Sequence, residues 1–342
     1  MRVLLTGATG LLGSHVAHEL VKRNYQVRVL VRPESSLNAL EGLAVDVFKG
    51  YLTREKDVEE ATDGCNFVIH SAALAVHKPT FLEAFQEVNI DGTRFIINAC
   101  KKKKVEKLVY VSTANCFASG SKLKPGDESG AFPDWMQKSG YAYSKYLAQQ
   151  QVLNDVRSGN LDAVVVNPTF IVGKDYKVNG GKIFNYILNK RIAFYPLGGK
   201  NFIDAEAAAV GIVNAMEKGR SGECYLLAGE NLSYRRFFNI VKGYTGQRTI
   251  MLPMPRMILK LAGFVGDILE RIFNVHVPLT LVNARMLCQQ NYYTAAKAKK
   301  ELGLPNVSAE QSIGKTLQWF KVNKGINHSK NPNLQKRIIE GL

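Results

Sequence analysis

The chain has 342 residues, 46% of them hydrophobic, and a formal charge of +16; that length and apolar fraction build one large domain or two intimate ones. Five cysteines, Cys65, Cys100, Cys116, Cys224 and Cys288, stand singly with no Cys-x-x-Cys pair. This fits reduced thiols in a cytoplasmic enzyme better than a disulfide scaffold or a zinc site, and no metal is expected. The longest apolar stretches, DAVVVNPTFIVG and RMILKLAGFVGDIL, are broken by polar residues short of the ~18–20 that cross a bilayer, and MRVLLTGATG lacks the apolar length of a secretory signal.

In chain order, RVLLTGA reads as a strand and LLGSHVAHELVKRN as a helix, with Leu12, Val16 and Leu20 at helical spacing. QVRVLVR is a strand, DVEEATDG a short helix, NFVIHSAA a strand and FLEAFQEVNIDGTRFIINACKKKK one long helix. KLVYVSTA (strand), YAYSKYLAQQQVLNDVRSGN (helix) and DAVVVNPTFIVG (strand) follow. Near-continuous apolar strands alternating with helices mark a parallel sheet covered on both faces, and so a doubly wound α/β domain of the Rossmann type.

Beyond about residue 170 the pattern loosens, and KDYKVNGGKIFNYILNKRIAFYPLGGKNF reads as loop plus helix. Asp204 is placed to cap a helix over DAEAAAVGIVNAMEKGRSG, ECYLLAG is a strand, and Ser233 is placed to cap SYRRFFNIVKGYTG. The amphipathic PRMILKLAGFVGDILERIF comes next, then helices over TAAKAKKELG and SIGKTLQWFKVNKG. The expected organisation is a dinucleotide-binding domain over 1–170, joined by 201–228, a smaller and mostly helical substrate lobe over 171–325, and a basic tail over 326–342.

The charge raises the question of an anionic partner: nucleic acid, a membrane surface or a phosphorylated cofactor. The one dense basic run, KKKKVEK from Lys101 to Lys107, reads as a solvated helix end where cations suit the dipole. No interleaved aromatic and basic stripe accompanies it, so no nucleic acid is expected.

TGATGLLG joins the first strand to the first helix, with Gly7, Gly10 and Gly13 three apart. The first permits a tight turn, the second lets backbone approach a pyrophosphate, and the third allows helix and strand to pack closely. The phosphates would then sit at the helix N-terminus, with Thr6, Thr9, Leu11 and Leu12 around them. At the end of the second strand a carboxylate would favour NAD, through the ribose 2′-hydroxyl. The sequence VRVLVRPESS offers Arg32 instead, whose planar donors match a 2′-phosphate and favour NADP(H), with NAD remaining possible.

KLVYVSTANCF ends in Ser112 and Thr113, and the following helix opens with Tyr141 and Lys145. An (i, i+4) pair shares one helix face. A phenol titrates near 10, and an adjacent cation is expected to lower that value. A hydroxyl at Thr113 would hold a substrate oxygen. Beside a hydride carrier these groups make a site that interconverts a carbonyl and an alcohol.

TGATGLLG, HSAA (His70–Ala73), NIDGT (Asn89–Thr93), VSTA, YAYSK and NPTFIVG (Asn167–Gly173) together resemble an extended short-chain dehydrogenase/reductase over residues 1 to about 325. The resemblance implies Tyr141 as proton donor or acceptor, Lys145 on the nicotinamide ribose, and Thr113, rather than Ser112, on the carbonyl. It also implies cofactor contacts at Ser71, Ala72, Ala73, Pro168 and Thr169, a place for Asn89 in the central helix, and a homodimer through helices beginning near Phe81 and Gly140. Where the family often has Gly-Asp-Leu this chain has Gly50-Tyr51-Leu52, and Gln149 stands where Glu is common; adenine recognition is altered while Leu52 keeps its place.

Nucleotide-sugar epimerases and dehydratases resemble the first half, but Asn201 stands where their diphosphate-gripping Arg is expected, with Lys200 and Arg191 as weaker substitutes. The pattern is closer to the dihydroflavonol-reductase and 3β-hydroxysteroid-dehydrogenase-like branch, which shares the Arg at the second strand and a KAKKELG motif. Its substrates are apolar or aromatic carbonyls, for which Phe117, Phe132, Trp135, Tyr176 and Phe184 could wall a pocket. His77 reads as a loop residue. The apolar face of the PRMILKLAGFVGDILERIF helix (Ile258, Leu261, Ala262, Val265, Ile268, Leu269, Ile272) is expected to form lobe core or a lid, with a membrane surface as the lesser alternative. The expectation is an NADP(H)-dependent oxidoreductase; the alternatives are an NAD-dependent nucleotide-sugar epimerase or dehydratase, and a non-catalytic dinucleotide sensor.

Overall fold

The computed structural model describes residues 1–76, 81–174, 181–188, 190–273, 277 and 279–324; His77, Tyr176 and the tail over 326–342 lie outside the described residues. Seven strands form one wholly parallel sheet. In chain order these are β1 (Arg2–Thr6), β2 (Gln26–Val31), β3 (Val45–Lys49), β4 (Phe67–His70), β5 (Lys107–Val111) and β6 (Ala163–Pro168). After β7 (Phe170–Val172), β8 (Ile192–Pro196) and β9 (Gly199–Asp204) comes the seventh, β10 (Cys224–Leu227). The spatial order is β10-β6-β5-β4-β1-β2-β3. Sequence order reverses between β1 and β4, and the crevice outside their carboxyl ends is where an open α/β sheet binds ligands.

Both faces of the sheet are covered, as the continuous apolar strands require. On one side α1 (Leu11–Lys22) brings Val16, Ala17 and Leu20 to the core. On the other, α2 (Glu55–Thr62) brings Val58 and Ala61. The long helix read from the sequence is real but irregular: α3 (Glu83–Phe85) runs through a π-helical stretch, Gln86–Asp91, into α4 (Gly92–Lys102). The α4 end is ion-paired into the fold, Lys101 to Asp155, Lys102 to Glu59 and Lys103 to Asp63, so the basic run braces neighbouring elements. Helix α5 (Gly140–Arg157) is capped by Ser139, whose hydroxyl accepts from Ala142 N.

Strand β3 is not among the elements expected from the sequence. It is a short sheet-edge strand with exposed Asp46 and Lys49, and Arg28 of β2 holds Asp46 at 2.7 Å; charged edge strands lack the apolar run that identifies inner ones.

The region read as loop plus helix contains α6 (Gly181–Ile187), β8 and β9, while the stretch DAVVVNPTFIVG, read as one strand, divides into β6 and β7. Strand β9 pairs with β7, with β11 (Glu230–Ser233) and with β13 (Gln290–Asn291), while β8 pairs with β12 (Ile250–Met254). These strands are short and pair across long sequence separations, which single-sequence periodicity does not register. Helix α7 (Ala205–Lys218) is capped by Asp204 and α8 (Tyr234–Thr245) by Ser233, as expected. Then come α9 (Arg256–Phe273), α10 (Leu281–Cys288), α11 (Ala296–Leu302) and α12 (Ala309–Lys324). The KAKKELG motif is a clamp on the sheet edge: Glu301 takes Arg220 in a two-pronged pair and accepts from Tyr225 Oη, and Lys297 pairs with Glu223.

A third core, with Phe184, Phe202, Phe237 and Phe320 fully packed, lies beneath this lobe. The apolar face of α9 does not join it. Ile258, Leu261, Val265, Ile268, Leu269 and Ile272 are exposed large apolar residues, and Ala262 is exposed too, which corrects the expectation of lobe core.

Candidate active site

The glycine turn has the geometry its spacing promised. Gly7 has φ +75°, and a Cβ there would come within 2.7 Å of Ala72 N and 2.8 Å of Ser71 C, so the turn after β1 nests against the loop after β4. A Cβ on Gly13 would lie 2.0 Å from Gly7 O; only glycine lets α1 start this close to β1. Gly10, exposed, caps α1, and no acidic residue occupies its first turn. The first amides of α1 have no intrahelical acceptor and sit at the positive end of the dipole, a cradle shaped for a dinucleotide's phosphates. Thr9, Leu11, Leu12, Ser71, Ala72 and Ala73 are all only partly buried around it.

Four residues expected at the cofactor also carry structural contacts. Thr6 is buried; its Oγ1 accepts from Ala72 N at 3.1 Å and lies 2.7 Å from His70 Nδ1. Asn89, in the π-helical stretch, is buried with both ends of its amide spent: Oδ1 accepts from Leu74 N, while Nδ2 donates to Leu74 O and Ser144 Oγ. Pro168 is buried in β6. The Leu52 side chain packs over Gly92, where a Cβ would come within 2.8 Å of it.

Beneath the crevice the network fixes a histidine tautomer. Thr93 Oγ1 donates to Asn89 O, so it must accept from His70 Nε2 at 3.1 Å. Nδ1 is then the bare nitrogen and accepts from the Thr6 hydroxyl. Burial, with Lys145 nearby, pushes this imidazole down to about 3, so it stays neutral and acts as a spacer between β1, β4 and α4.

Thr113 and Tyr141 meet, and Lys145 lies one helical turn from Tyr141 on α5. Thr113 follows β5 and caps a short turn, Ala114–Cys116. Asn167 on β6 donates to Thr113 O at 2.9 Å and to Gln149 Oε1 at 2.8 Å, which ties the loop after β5 to both β6 and α5. The Thr113 hydroxyl pulls the Tyr141 pKa downward. Ser112 is turned to the Cys116 thiol at 3.3 Å, so the hydroxyl that serves Tyr141 is that of Thr113. Tyr141 rests against buried Phe85, ring centres 6.4 Å apart, and its carbonyl accepts from Ser144 Oγ, itself held by Asn89. Tyr143 instead stacks with Phe132 and Tyr146.

Electrostatics depart from the sequence expectation. Burial is the largest influence on Tyr141, Cys116 adds to it, and the phenol is pushed up to about 12 despite Thr113. Lys145 is 2% exposed and burial pushes its ammonium down to about 7. Its Nζ lies 4.2 Å above the Tyr110 ring, and it forms no ion pair among the described residues. Desolvation disfavours both charged forms, so near neutrality the phenol keeps its proton and the amine holds its charge less readily than a free lysine.

At the far end of the crevice, Arg32 follows β2. It is 68% exposed, 3.4 Å from Glu34, whose other oxygen accepts from Tyr51 Oη. Arg54, unremarked in the sequence, stacks on the Tyr51 ring at 4.5 Å. Two guanidiniums therefore flank the position where a family acid would meet adenine. Of the proposed wall aromatics, Phe117 and Phe184 are core, Phe132 stacks on Tyr146, and Trp135 lies under Arg285.

Thr169 lies at the start of the lobe, its hydroxyl donating to Asn201 Oδ1. Asn201 also accepts from Gly229 N and donates to Asn231 and Tyr293 O, a structural junction with no capacity left for an anion. Lys200 lies over the Phe170 ring, its amine pushed down to about 8 by burial, and Arg191 is exposed at the head of β8. Asn167, Ser144, Phe85 and Cys116 were not singled out from the sequence as site residues. All four lay within quoted stretches, and nothing local signalled their roles.

The profile of the NAD dependent epimerase/dehydratase family matches residues 3–228. A putative dihydroflavonol 4-reductase of Synechocystis is 31% identical over 327 residues, 93% of this chain and 94% of that protein. A decarboxylating sterol-4-alpha-carboxylate 3-dehydrogenase of Candida albicans is 26% identical over 93% of this chain and 97% of its own. The crystal structure of gox2253 superposes with a TM-score of 0.81 at 30% identity, covering 94% of this chain and 98% of that one.

Proposed function

This chain belongs to the NAD dependent epimerase/dehydratase family as an NAD(P)-dependent enzyme of the extended short-chain dehydrogenase/reductase type, and within it we propose that it is an NADP(H)-dependent reductase or dehydrogenase acting on an apolar or aromatic carbonyl/alcohol pair. The observation that carries this reading is the contact of Thr113 with Tyr141, with Lys145 buried one helical turn on in α5 and without an ion pair among the described residues.

The residues present fit a dinucleotide. The Gly7 and Gly13 positions have room for backbone only, and the N-terminus of α1 faces the crevice with no acid in its first turn. Gly7, Thr9, Gly10, Leu11, Leu12 and Gly13 would hold the pyrophosphate, and Lys145 the nicotinamide ribose. Arg32, with Arg54 beside it, would take a 2′-phosphate. When bound, the nicotinamide supplies or accepts the hydride. Thr113 holds the substrate oxygen by its hydroxyl. Tyr141, protonated at neutral pH, delivers its proton to that oxygen during reduction and takes it back during oxidation, and Lys145 supports the transient phenolate. The names of the Synechocystis and Candida relatives support an apolar substrate, as does Asn201, which is spent on structure where a nucleotide-sugar enzyme would want a free cation.

The test is Tyr141→Phe. Turnover of an aromatic or steroidal ketone should fall by at least ~10², while NADPH affinity by fluorescence stays within about twofold. Undiminished turnover by the Phe variant would refute the mechanism, and tighter binding of NADH than of NADPH by the wild type would refute the cofactor assignment.

A further inference from the structure

Helix α9 is built inside out. Its packed side consists of Leu259, Gly263 and Gly266: a Cβ at Gly263 would meet Thr280 O and Ala284 Cβ at 2.8 Å, and one at Gly266 would lie 2.1 Å from Leu279 O. The glycines let α9 lie tightly against α10 and the loop before it. Its two acids face the same way, Asp267 accepting from Leu281 N and Glu270 from Val277 N. Residues two positions on point about 200° away, and there Leu261, Val265, Ile268 and Ile272 form one stripe with Met257 and Phe264 beside it. Met257, Leu261 and Ile272 are 83%, 63% and 67% exposed. A helix whose polar and small residues pack inward while its apolar face meets water pays a hydration cost that only an external apolar phase offsets.

The ribbon leading into α9 has the same character. Ile192 and Phe194 of β8 stand opposite Ile250 and Leu252 of β12, and all four are exposed. The flanking charge is basic: Arg256 and Lys260 on α9, and Arg191 and Arg248 at the head of the ribbon, are exposed and have no ion pair among the described residues. No helix of the described residues is long and apolar enough to cross a membrane.

We propose that α9 is a docking surface for an anionic lipid bilayer, lying in the interface plane with its apolar stripe among the acyl chains and Arg256 and Lys260 at headgroup level. Charge decides between this occupant and a second copy of the chain. Two copies at +16 each would repel and bring these cations toward one another, whereas an anionic surface complements them. The inference does not depend on the identity of the substrate.

The experiment is flotation with vesicles of phosphatidylcholine, with and without phosphatidylglycerol, for the wild type, Leu261→Asp/Ile268→Asp and Arg256→Glu/Lys260→Glu. Circular dichroism and activity on a water-soluble carbonyl would establish that each variant is folded. The expected result is wild-type binding to the anionic vesicles that falls at least tenfold in the Asp variant, drops in the Glu variant, and weakens in high salt. Three results would overturn the proposal: no wild-type binding at low salt, equal binding by the folded Asp variant, or a wild-type dimer that the Asp substitutions split without changing vesicle binding.

Discussion

Replacing Lys145 with Met should stabilise the nucleotide-free protein while abolishing its activity. The ammonium is held in a buried position over the Tyr110 ring, and burial, only partly offset by Cys116, lowers its pKa from 10.5 to about 7. At ~1.4 kcal/mol per tenfold, that preference for the neutral amine is worth roughly 5 kcal/mol. Below pH 7 the folded and unfolded chains both carry the proton, so folding bears the whole penalty. Between pH 7 and 10.5 the unfolded chain binds more protons than the folded one, so unfolding free energy rises with pH and the penalty fades. Met fills nearly the same volume without charge. After allowing for the lost ring contact, about 1–2 kcal/mol, the variant should exceed wild type by about 3–4 kcal/mol at pH 6, and the gap should narrow toward pH 10. Urea denaturation of stripped wild type and variant at pH 6 and 9.5 measures this difference, in which the titrating groups not coupled to Lys145 cancel. A variant no more stable than wild type at pH 6, or a gap that does not change with pH, would refute the reasoning.

Gly13→Ala sets a Cβ against Gly7 O at 2.0 Å; α1 must shift, and a loss of about 3 kcal/mol or more together with nucleotide binding is expected in thermal unfolding with and without NADPH. Arg32→Ser should raise the Kd for NADPH about 10–30-fold, the ~1.5–2 kcal/mol of a charge-assisted phosphate contact, and leave NADH within twofold; equal losses for both would remove the 2′-phosphate role. Asn89→Ala leaves Leu74 N and O and the Ser144 hydroxyl short of a partner in the interior. It should cost about 2–4 kcal/mol and lower kcat more than nucleotide affinity, because the Ser144 link to the Tyr141 carbonyl loosens; steady-state kinetics set beside urea unfolding separates the two effects.

The crevice and its glycines were legible because each rests on chain-local geometry. A tight turn, a close helix–strand approach and an (i, i+4) pair are fixed by residues a few positions apart, and so are the caps at Asp204 and Ser233. Tyr141 could be told from Tyr143 for the same reason. Strands β3, β8, β9, β11 and β13 were not legible, because short or charged strands are defined by partners far along the chain.

The sequence by itself therefore determined the parallel sheet, the dinucleotide turn and the phenol–amine pair, all consequences of apolar periodicity and short-range stereochemistry. Only the tertiary structure decided how those groups are tuned. Burial raises Tyr141 and lowers Lys145, Thr93 fixes the His70 tautomer from 23 residues away, and Asn89 reaches Ser144 across 55 residues. Helix α9 marks the limit most plainly. Periodicity assigns an apolar face, but which side of a helix the fold covers depends on what packs there, and here two glycines turn that face outward.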